Sequence, residues 1–198
     1  MLRKIFASFD PEGIFVYQAF KHSIADEAIR LGTFGKGFNM GRMTWIKPSF
    51  GWMLYRSKYA TQHRQERILK IKLSHEGFQR ILSAGISTSF EPSIFPTEEE
   101  WRKALDSSLV RYQWDPDRDI WLRRLERRAI QLGIRGSVVR DYANVWIIGI
   151  EDVTELAKAI ATSVKNRTKD SSLAPIEQIY QVNTQIQQTL AMIETASC

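Results

Sequence analysis

The feature that most constrains the fold is the alternation of polar and apolar side chains in residues 66–73, ERILKIKL. In an extended chain, Lys70 and Lys72 point to one side, and Leu69 and Ile71 point to the other. Such a strand belongs to a sheet that buries one face and exposes the other to solvent. The chain is therefore expected to build its core around a sheet.

Other segments predict further strands and helices in a mixed order. The β-branched and aromatic segments GIFVYQAF (13–20), LVRYQW (109–114), RAIQLGI (128–134) and WIIGI (146–150) predict strands. A turn at Asp115-Pro116-Asp117 and the charged run RRLERR are expected between the two middle strands. Helical spacing predicts helices between the strands, including one from Pro48 to about Ala60. The predicted fold class is α+β, with a mixed, mostly antiparallel central sheet flanked by helices.

Composition limits the cellular setting that we expect. The 198 residues carry a net charge of +6, so the protein is basic and its field attracts phosphate-bearing ligands. The single cysteine, Cys198, excludes a disulfide within one chain. No apolar run is long enough to cross a bilayer. We expect a cytoplasmic protein with no membrane partner.

The composition changes near the end of the chain and predicts three parts. Residues 1–165 are expected to form one α+β core domain, and residues 166–175, rich in Lys, Thr, Asp and Ser, a linker. Residues 176–196 are expected to form a C-terminal amphipathic helix, because isoleucine and leucine repeat there at three- and four-residue steps around Asn183. This seam predicts a homodimer through residues 176–193, and the alternative is a tail packed on its own domain.

The segment richest in candidate binding residues is 41–60, GRMTWIKPSFGWMLYRSKYA. It interleaves cations, which neutralise phosphate, with flat rings, on which a base can stack. Ring residues at helical spacing are often core, which is the alternative for Trp52 and Tyr55. The candidate ligand-binding residues are Tyr17, Gln18, Arg42, Trp45, Lys47 and Arg56.

Several common sites are not expected. The glycines at 35, 37 and 41 do not match the dinucleotide fingerprint, and no Walker sequence occurs. The histidines lack metal-ligand spacing, so no metal site is predicted.

Seven segments in their order along the chain resemble a known family. These are VYQAF, IADEAIRLGTF, GRMTWIKPSFGWMLYRS, QERILKIKL, VRYQWDPDRD, RRAIQLGIRG and WIIGIEDVT. Residues 3–165 resemble the family named domain of unknown function 4291, which implies no activity.

A weaker resemblance links VYQAF and AIRLGTF to the ADP-ribosyltransferase fold. It places Gln18 where that fold grips the nicotinamide ribose, and Gln131 near the acid of its final strand. The candidate catalytic residues are Gln18, Tyr55 and Gln131. The resemblance implies NAD as the cofactor to consider, with ADP-ribosyl transfer or a degenerate enzyme that only binds its ligand. Phosphoryl transfer is a separate candidate activity of a phosphate-binding cleft.

Three functions remain open at this point. The first is the nucleotide-binding cleft between residues 13–20 and 41–59, which an RNA end would also fit. The second is a non-enzymatic RNA-binding module that contacts phosphates through Lys70, Lys72, Arg123, Arg124, Arg127 and Arg128. The third is an interaction protein that dimerises through its C-terminal helix.

Overall fold

The computed structural model describes residues 2–168 and 170–192. The strands are β1 (Leu2–Arg3), β2 (Phe6–Ala7), β3 (Gly13–Phe20), β4 (Thr44–Ile46), β5 (Arg67–Ser74), β6 (Gly85–Ser87), β7 (Val110–Arg118), β8 (Arg124–Ile134), β9 (Ile147–Asp152) and β10 (Gln178–Ile179). The helices are α1 (His22–Leu31), α2 (Phe50–Ser57), α3 (His75–Ser83), α4 (Glu98–Ser107), α5 (Ser137–Asp141), α6 (Thr154–Lys165) and α7 (Thr184–Thr189). A π-helical turn at Tyr142–Trp146 follows α5, and a 3-10 turn at Ser171–Leu173 precedes β10.

The strands form two larger sheets, and the fold is α+β as expected. In the first sheet β8 pairs with β7 along one edge and with β1 and β4 along the other. Strand β6 pairs in parallel with the opposite edge of β7. In the second sheet β5 lies between β3 and β9, and both pairings are antiparallel. The alternation in β5 is confirmed, since Leu69, Ile71 and Leu73 are buried while Lys70 and Lys72 are only partly so.

An isolated β-bridge between Tyr17 and Lys47 joins the two sheets. Tyr17 in β3 donates its N–H to the carbonyl of Lys47 over 2.7 Å, and the N–H of Lys47 donates back to Tyr17 over 3.2 Å. Lys47 directly follows β4, which is paired with β8. The sheets therefore meet at the start of the candidate binding segment, and this junction fixes the backbone of Lys47.

Helix α2 is shorter than the sequence predicts. It begins after Ser49, whose hydroxyl accepts the N–H of Trp52, so Ser49 rather than Pro48 defines its start. It ends at Ser57 because Lys58, Tyr59 and Ala60 all have positive φ, which no helix allows. The helix therefore ends three residues before the predicted position, and its Trp52, Met53 and Arg56 line the cleft described below.

The turn predicted at Asp115-Pro116-Asp117 is wrong. These residues lie inside β7, and the turn follows at 119–123; the charged run predicted beside it lies mostly in β8. Strand β7 tolerates Pro116 because the register between β7 and β8 shifts between Pro116 and Arg118. Proline lacks an N–H for the ladder and is found in sheets at such irregularities.

Asp117 forms the centre of a buried polar cluster. It accepts hydrogen bonds from Ser49 Oγ (2.6 Å), from Arg127 Nε (2.6 Å) and from the backbone N–H of Arg118 (2.8 Å). Arg127 also donates to Glu177, which accepts the N–H of Phe50 at the start of α2 (2.8 Å). Burial raises the pKa of Glu177 to about 7. The cluster ties β7, β8, α2 and the end of the chain together, which gives the unusual segment QWDPDRD a structural role.

The helix predicted over residues 176–196 is wrong for its first half. Residues 178–179 form β10, which pairs with β2, and the helix spans only Thr184–Thr189. Asn183 begins that helix, since its Oδ1 accepts the N–H of Ile186 over 2.9 Å. Residues 193–196 lie outside the described residues.

Two apolar residues of the predicted seam, Ile186 and Leu190, pack on their own chain, whereas Ile176 is 78% exposed. Ile186 and Leu190 are buried in the main core beside Phe78 and Tyr112, which matches the alternative of a tail packed on its own domain. A helix that pairs with a second chain and a C-terminal helix that packs on its own domain show the same spacing of apolar residues in the sequence. Ile186 and Leu190 therefore cannot serve as a dimer surface in this structure. In the described residues, no helix combines the length and apolar character needed to cross a membrane.

Candidate functional site

A cleft of about 660 Å³ opens beside the junction of the two sheets. Its walls come from β3, the glycine-containing loop at 35–43, β4, α2, and the facing strands β7 and β8. This volume lies within the roughly 300–1,000 Å³ typical of small-molecule sites. Segments 13–20 and 41–59, between which the sequence analysis predicted a cleft, both line it, and β7 and β8 provide an additional wall.

Positive charge dominates the lining of the cleft. Its cations are Lys21, Arg42, Lys47, Arg56 and Arg64. Among the described residues, no aspartate or glutamate lines the cleft and none of these five cations forms an ion pair. Such a concentration of one sign of charge attracts anions.

Lys47 is the buried member of this group. Its side chain and backbone are 7% exposed, and its Nζ lies 5.3 Å from the centre of the Trp52 ring. Within residues 2–168 and 170–192 its ammonium has no hydrogen-bond partner. Burial, with a further contribution from the charge of Arg56, lowers the pKa of Lys47 to about 8. An ammonium in this position is costly unless an anion reaches it.

Two tryptophan rings provide flat surfaces in the cleft. Trp45 pairs with Gly133 across β4 and β8, and a Cβ at Gly133 would lie 3.0 Å from its ring and 2.7 Å from Met43 Sδ. The absence of a side chain at Gly133 therefore lets the Trp45 ring lie close against β8. Trp52 lines the cleft from α2. Both rings are held by packing, which reduces the entropy that a stacked ligand must overcome.

Amide side chains line the third wall, next to one carboxylate. Gln113 in β7 is directly opposite Gln131 in β8. Asp115 accepts a hydrogen bond from Gln131 Nε2 (2.7 Å) and another from Gln113 Nε2 (3.1 Å). Burial raises the pKa of Asp115, and its charge acts on Lys47. The cleft therefore has a carboxylate at its border and an amine in its wall.

Five of the predicted site residues meet in the cleft: Arg42, Trp45, Lys47, Arg56 and Gln131. Gln18 also lines the cleft, but its amide is already hydrogen-bonded within the protein. Gln18 Nε2 donates to Thr44 Oγ1 (2.7 Å) and to the carbonyl of Trp45 (3.0 Å), while Oε1 accepts from Tyr142 (2.7 Å). Gln18 thus fastens β4 to β3, and its donors are not available to hold a ribose.

Tyr17 and Tyr55 lie outside the cleft. Tyr17 is buried on the opposite side of β3, against Phe50, because successive residues of a strand point to opposite faces. Tyr55 is 45% exposed on the outer side of α2, and the Arg118 guanidinium lies 4.3 Å from its ring centre. Neither tyrosine reaches the position that the sequence interpretation gave it.

Sequence reasoning gave Gln113 and Asp115 no role in the cleft. Both belong to the segment QWDPDRD, which stood out by its composition, but their proximity to Gln131 depends on the register of β7 with β8. Trp52 was weighed as core; it is 8% exposed and also lines the cleft.

Most cations of the RNA-binding hypothesis lie outside the cleft and are paired with carboxylates. Lys70 pairs with Glu151 (3.2 Å), Lys72 with Asp10 (2.8 Å), Arg123 with Asp119 (2.7 Å), and Arg127 with Asp117 and Glu177. Arg128 donates to the carbonyl of Trp114. Lys70 and Lys72 lie on β5, Arg127 and Arg128 lie on β8, and Arg123 lies in the turn before β8.

No group of three or more histidine, cysteine, aspartate or glutamate residues in the described part of the chain could hold a metal ion. A family model described as a domain of unknown function (DUF4291) matches residues 4–180. The match extends through β10 and includes Glu177. A comparison with curated proteins finds no match.

Proposed function

The chain belongs to this domain of unknown function family, and we propose that its cleft binds a phosphate-bearing ligand with a planar ring, of the nucleotide class. The observation that carries the proposal is the set of five cleft cations that have no carboxylate partner among the described residues. Arg42, Lys47 and Arg56 supply the positive charge for the phosphates. The guanidinium of Arg56 on α2 can hold a phosphate through two parallel hydrogen bonds, while Arg42 adds to the field that attracts the anion.

The ring and the sugar of the ligand have matching surfaces. Trp45 and Trp52 offer faces on which a base can stack. The second Nε2–H of Gln113 and the Oε1 of Gln131 can hydrogen-bond the edge of the base or a ribose hydroxyl, since the other amide donors already bond to Asp115 and Gln113. NAD and ADP-ribose belong to this ligand class. The second resemblance implies an acid near Gln131; the adjacent Asp115, hydrogen-bonded to Gln131, supplies a carboxylate at that place. Group transfer of the ADP-ribosyl or phosphoryl type is the activity that such a site would support.

The experiment that tests the proposal is calorimetric titration of the purified chain with ADP, ADP-ribose, NAD and a short single-stranded RNA. We expect the double variant Arg42→Ala, Lys47→Ala to bind ADP at least about 30-fold more weakly, since buried charge pairs contribute 2–5 kcal/mol. The matched control is Lys70→Ala, Lys72→Ala, which removes two cations that already have carboxylate partners. This control is expected to change the affinity by less than about twofold.

The same titration separates the alternatives. If the cleft variant keeps wild-type affinity while the control loses it, the cleft is not the site and the RNA-binding module becomes the better proposal. If RNA binds with a steep salt dependence and ADP does not bind, the nucleotide proposal fails. Circular dichroism and melting of each variant establish that it is folded.

A further inference from the structure

Lys47 has a different environment from the other cations of the cleft. Lys21, Arg42, Arg56 and Arg64 are exposed, whereas Lys47 is buried. The four exposed cations can neutralise phosphate without it, and the two nearest in the chain are guanidiniums, which suit phosphate geometry. A buried primary amine is therefore not required for charge alone.

The surroundings of Lys47 make it easier to deprotonate than an exposed lysine, so its neutral, nucleophilic form is available near pH 8 while the ammonium predominates at pH 7. Its backbone is held by two hydrogen bonds to Tyr17, and its Nζ lies 5.3 Å from the centre of the Trp52 ring. Arg56 repels its proton, and no carboxylate lies within ion-pair distance among the residues described. A lysine that is desolvated or next to another cation is one that forms Schiff bases with carbonyl compounds. Burial lowers the pKa of Lys47 to about 8, which agrees with this environment.

We propose that the Nζ of Lys47 forms a Schiff base with a phosphate-bearing aldehyde or ketone in the cleft. This inference rests on the proposed function for the phosphate contacts. It narrows the ligand class to phosphorylated carbonyl compounds, which includes open-chain sugar phosphates and the open form of ADP-ribose.

The step balances without an oxidant or a metal. The Nζ lone pair adds to the carbonyl carbon, a C–N bond forms, and the carbonyl π electrons move to oxygen. The nitrogen loses two protons, the oxygen gains both, and it leaves as water when the C=N bond forms. Asp115, whose carboxyl group is held by Gln113 and Gln131, is the group at the border of the cleft that can carry these protons.

The test uses pyridoxal 5′-phosphate as the probe on the full chain. An equimolar mixture is reduced with borohydride, which traps a Schiff base, and the labelled lysines are located by peptide mass spectrometry. We expect the label at Lys47 to exceed that at Lys70 and at Lys72 by at least about tenfold, because a neutral amine is the nucleophile. Pyridoxal without the phosphate should label Lys47 at least about tenfold less, since it lacks the charge-assisted contacts.

Each result decides the inference. Label spread evenly over Lys47, Lys70 and Lys72 would overturn it, as would equal labelling of Lys47 by pyridoxal and its phosphate. Because the comparison is made between lysines of the wild-type chain, it does not depend on a variant that folds. ADP titration of the unlabelled protein separates the two proposals: bound ADP with no label at Lys47 refutes only the Schiff base, whereas no bound ADP refutes the proposed function whatever the label at Lys47.

Discussion

The cleft and the outer face of β5 both place a lysine beside an aromatic ring, yet they differ in their counterions. Lys47 lies 5.3 Å from the centre of the Trp52 ring, and Lys70 lies 4.1 Å from that of Phe15. On β5 each lysine has a carboxylate partner, Glu151 for Lys70 and Asp10 for Lys72. In the cleft Lys47 has none among the described residues, although it is the more buried.

This difference supports the proposal that the cleft binds a ligand, whereas the outer face of β5 is a structural surface. A paired surface lysine adds solubility and a small amount of stability. An unpaired buried lysine reduces stability, so its presence requires another explanation. A ligand that supplies the missing negative charge is the explanation that the cations, rings and amides of the cleft support together.

The largest expected effect tests the sign of the contribution that each lysine makes to stability. Lys47→Met should raise the free energy of unfolding at pH 7, because the variant removes a buried ammonium. The pKa of Lys47 falls from 10.5 to about 8, which corresponds to on the order of 3 kcal/mol. Lys72→Met should instead lower the free energy of unfolding, since the hydrogen bond to Asp10 raises the pKa of Lys72. Denaturant unfolding of both variants measures this contrast.

The pH dependence provides a second measurement of the same contrast. Between pH 8 and 10.5 the unfolded state holds the proton of residue 47 and the folded state does not, so this group makes stability rise with pH. The advantage of Lys47→Met should therefore shrink over this range. The contribution of Lys72 has the opposite sign, because it is present below its unfolded pKa and is lost as pH rises through its folded value. A Lys47→Met variant that is less stable than wild type at pH 7 would contradict the comparison.

The next effect comes from giving the cleft the counterion that it lacks. Gln65 lines the cleft, and Gln65→Glu places a carboxylate among its cations. We expect the affinity for ADP to fall about tenfold, or roughly 1.4 kcal/mol, because the new charge competes with the ligand. Calorimetry measures this change, and Gln65→Ala, which adds no charge, is the matched control. Equal losses in the two variants would show that the charge is not the cause.

Much of the fold follows from local patterns in the sequence. The alternation in 66–73 and the β-branched segment 13–20 give strands at nearly the observed bounds, Arg67–Ser74 and Gly13–Phe20. The structure near the end of the chain does not follow from its pattern, because a heptad-like spacing describes any helix that docks one apolar side, on a second chain or on its own domain. Whether Ile186 meets a second chain or its own core depends on long-range contacts.

The residues of the site also divide into those that are close in the sequence and those that only the fold brings together. Arg42, Trp45, Lys47 and Arg56 lie within 15 residues of one another, so the sequence reveals them as a group. Asp115 and Gln131 meet only because β7 and β8 pair in one register. The missing counterion of Lys47 also depends on which strands come together, and no local pattern reports it.

A smaller effect is expected where the backbone fixes a ring. In Gly133→Ala the new Cβ would lie 3.0 Å from the Trp45 ring and 2.7 Å from Met43 Sδ. The flexible Met43 side chain can rotate away from the new Cβ. The rigid Trp45 ring has to move as a whole, which displaces the surface on which a base would stack. We expect a loss of about fivefold in affinity for ADP, within the 1–3 kcal/mol that stacking contributes. Gly149→Ala is the control, since a Cβ there meets Lys72 only at an ordinary distance of 3.7 Å; equal affinities for ADP in both variants would contradict a role for the Trp45 position.

The smallest effect should come from the mouth of the cleft. Arg42 is exposed, so water and salt screen its charge, and Arg42→Ala should weaken ADP binding only about threefold at physiological salt. The loss should grow as salt is lowered, because screening weakens and the exposed guanidinium then contributes more to the field. Exposed Arg80, which pairs with Glu76 on α3, provides the control in Arg80→Ala, where affinity should not change at any salt concentration. Calorimetry across a salt series measures both variants. A loss at Arg42 that is large and independent of salt would place the phosphate in direct contact with Arg42, and the role of Arg42 as a cation that only attracts the ligand would then be wrong.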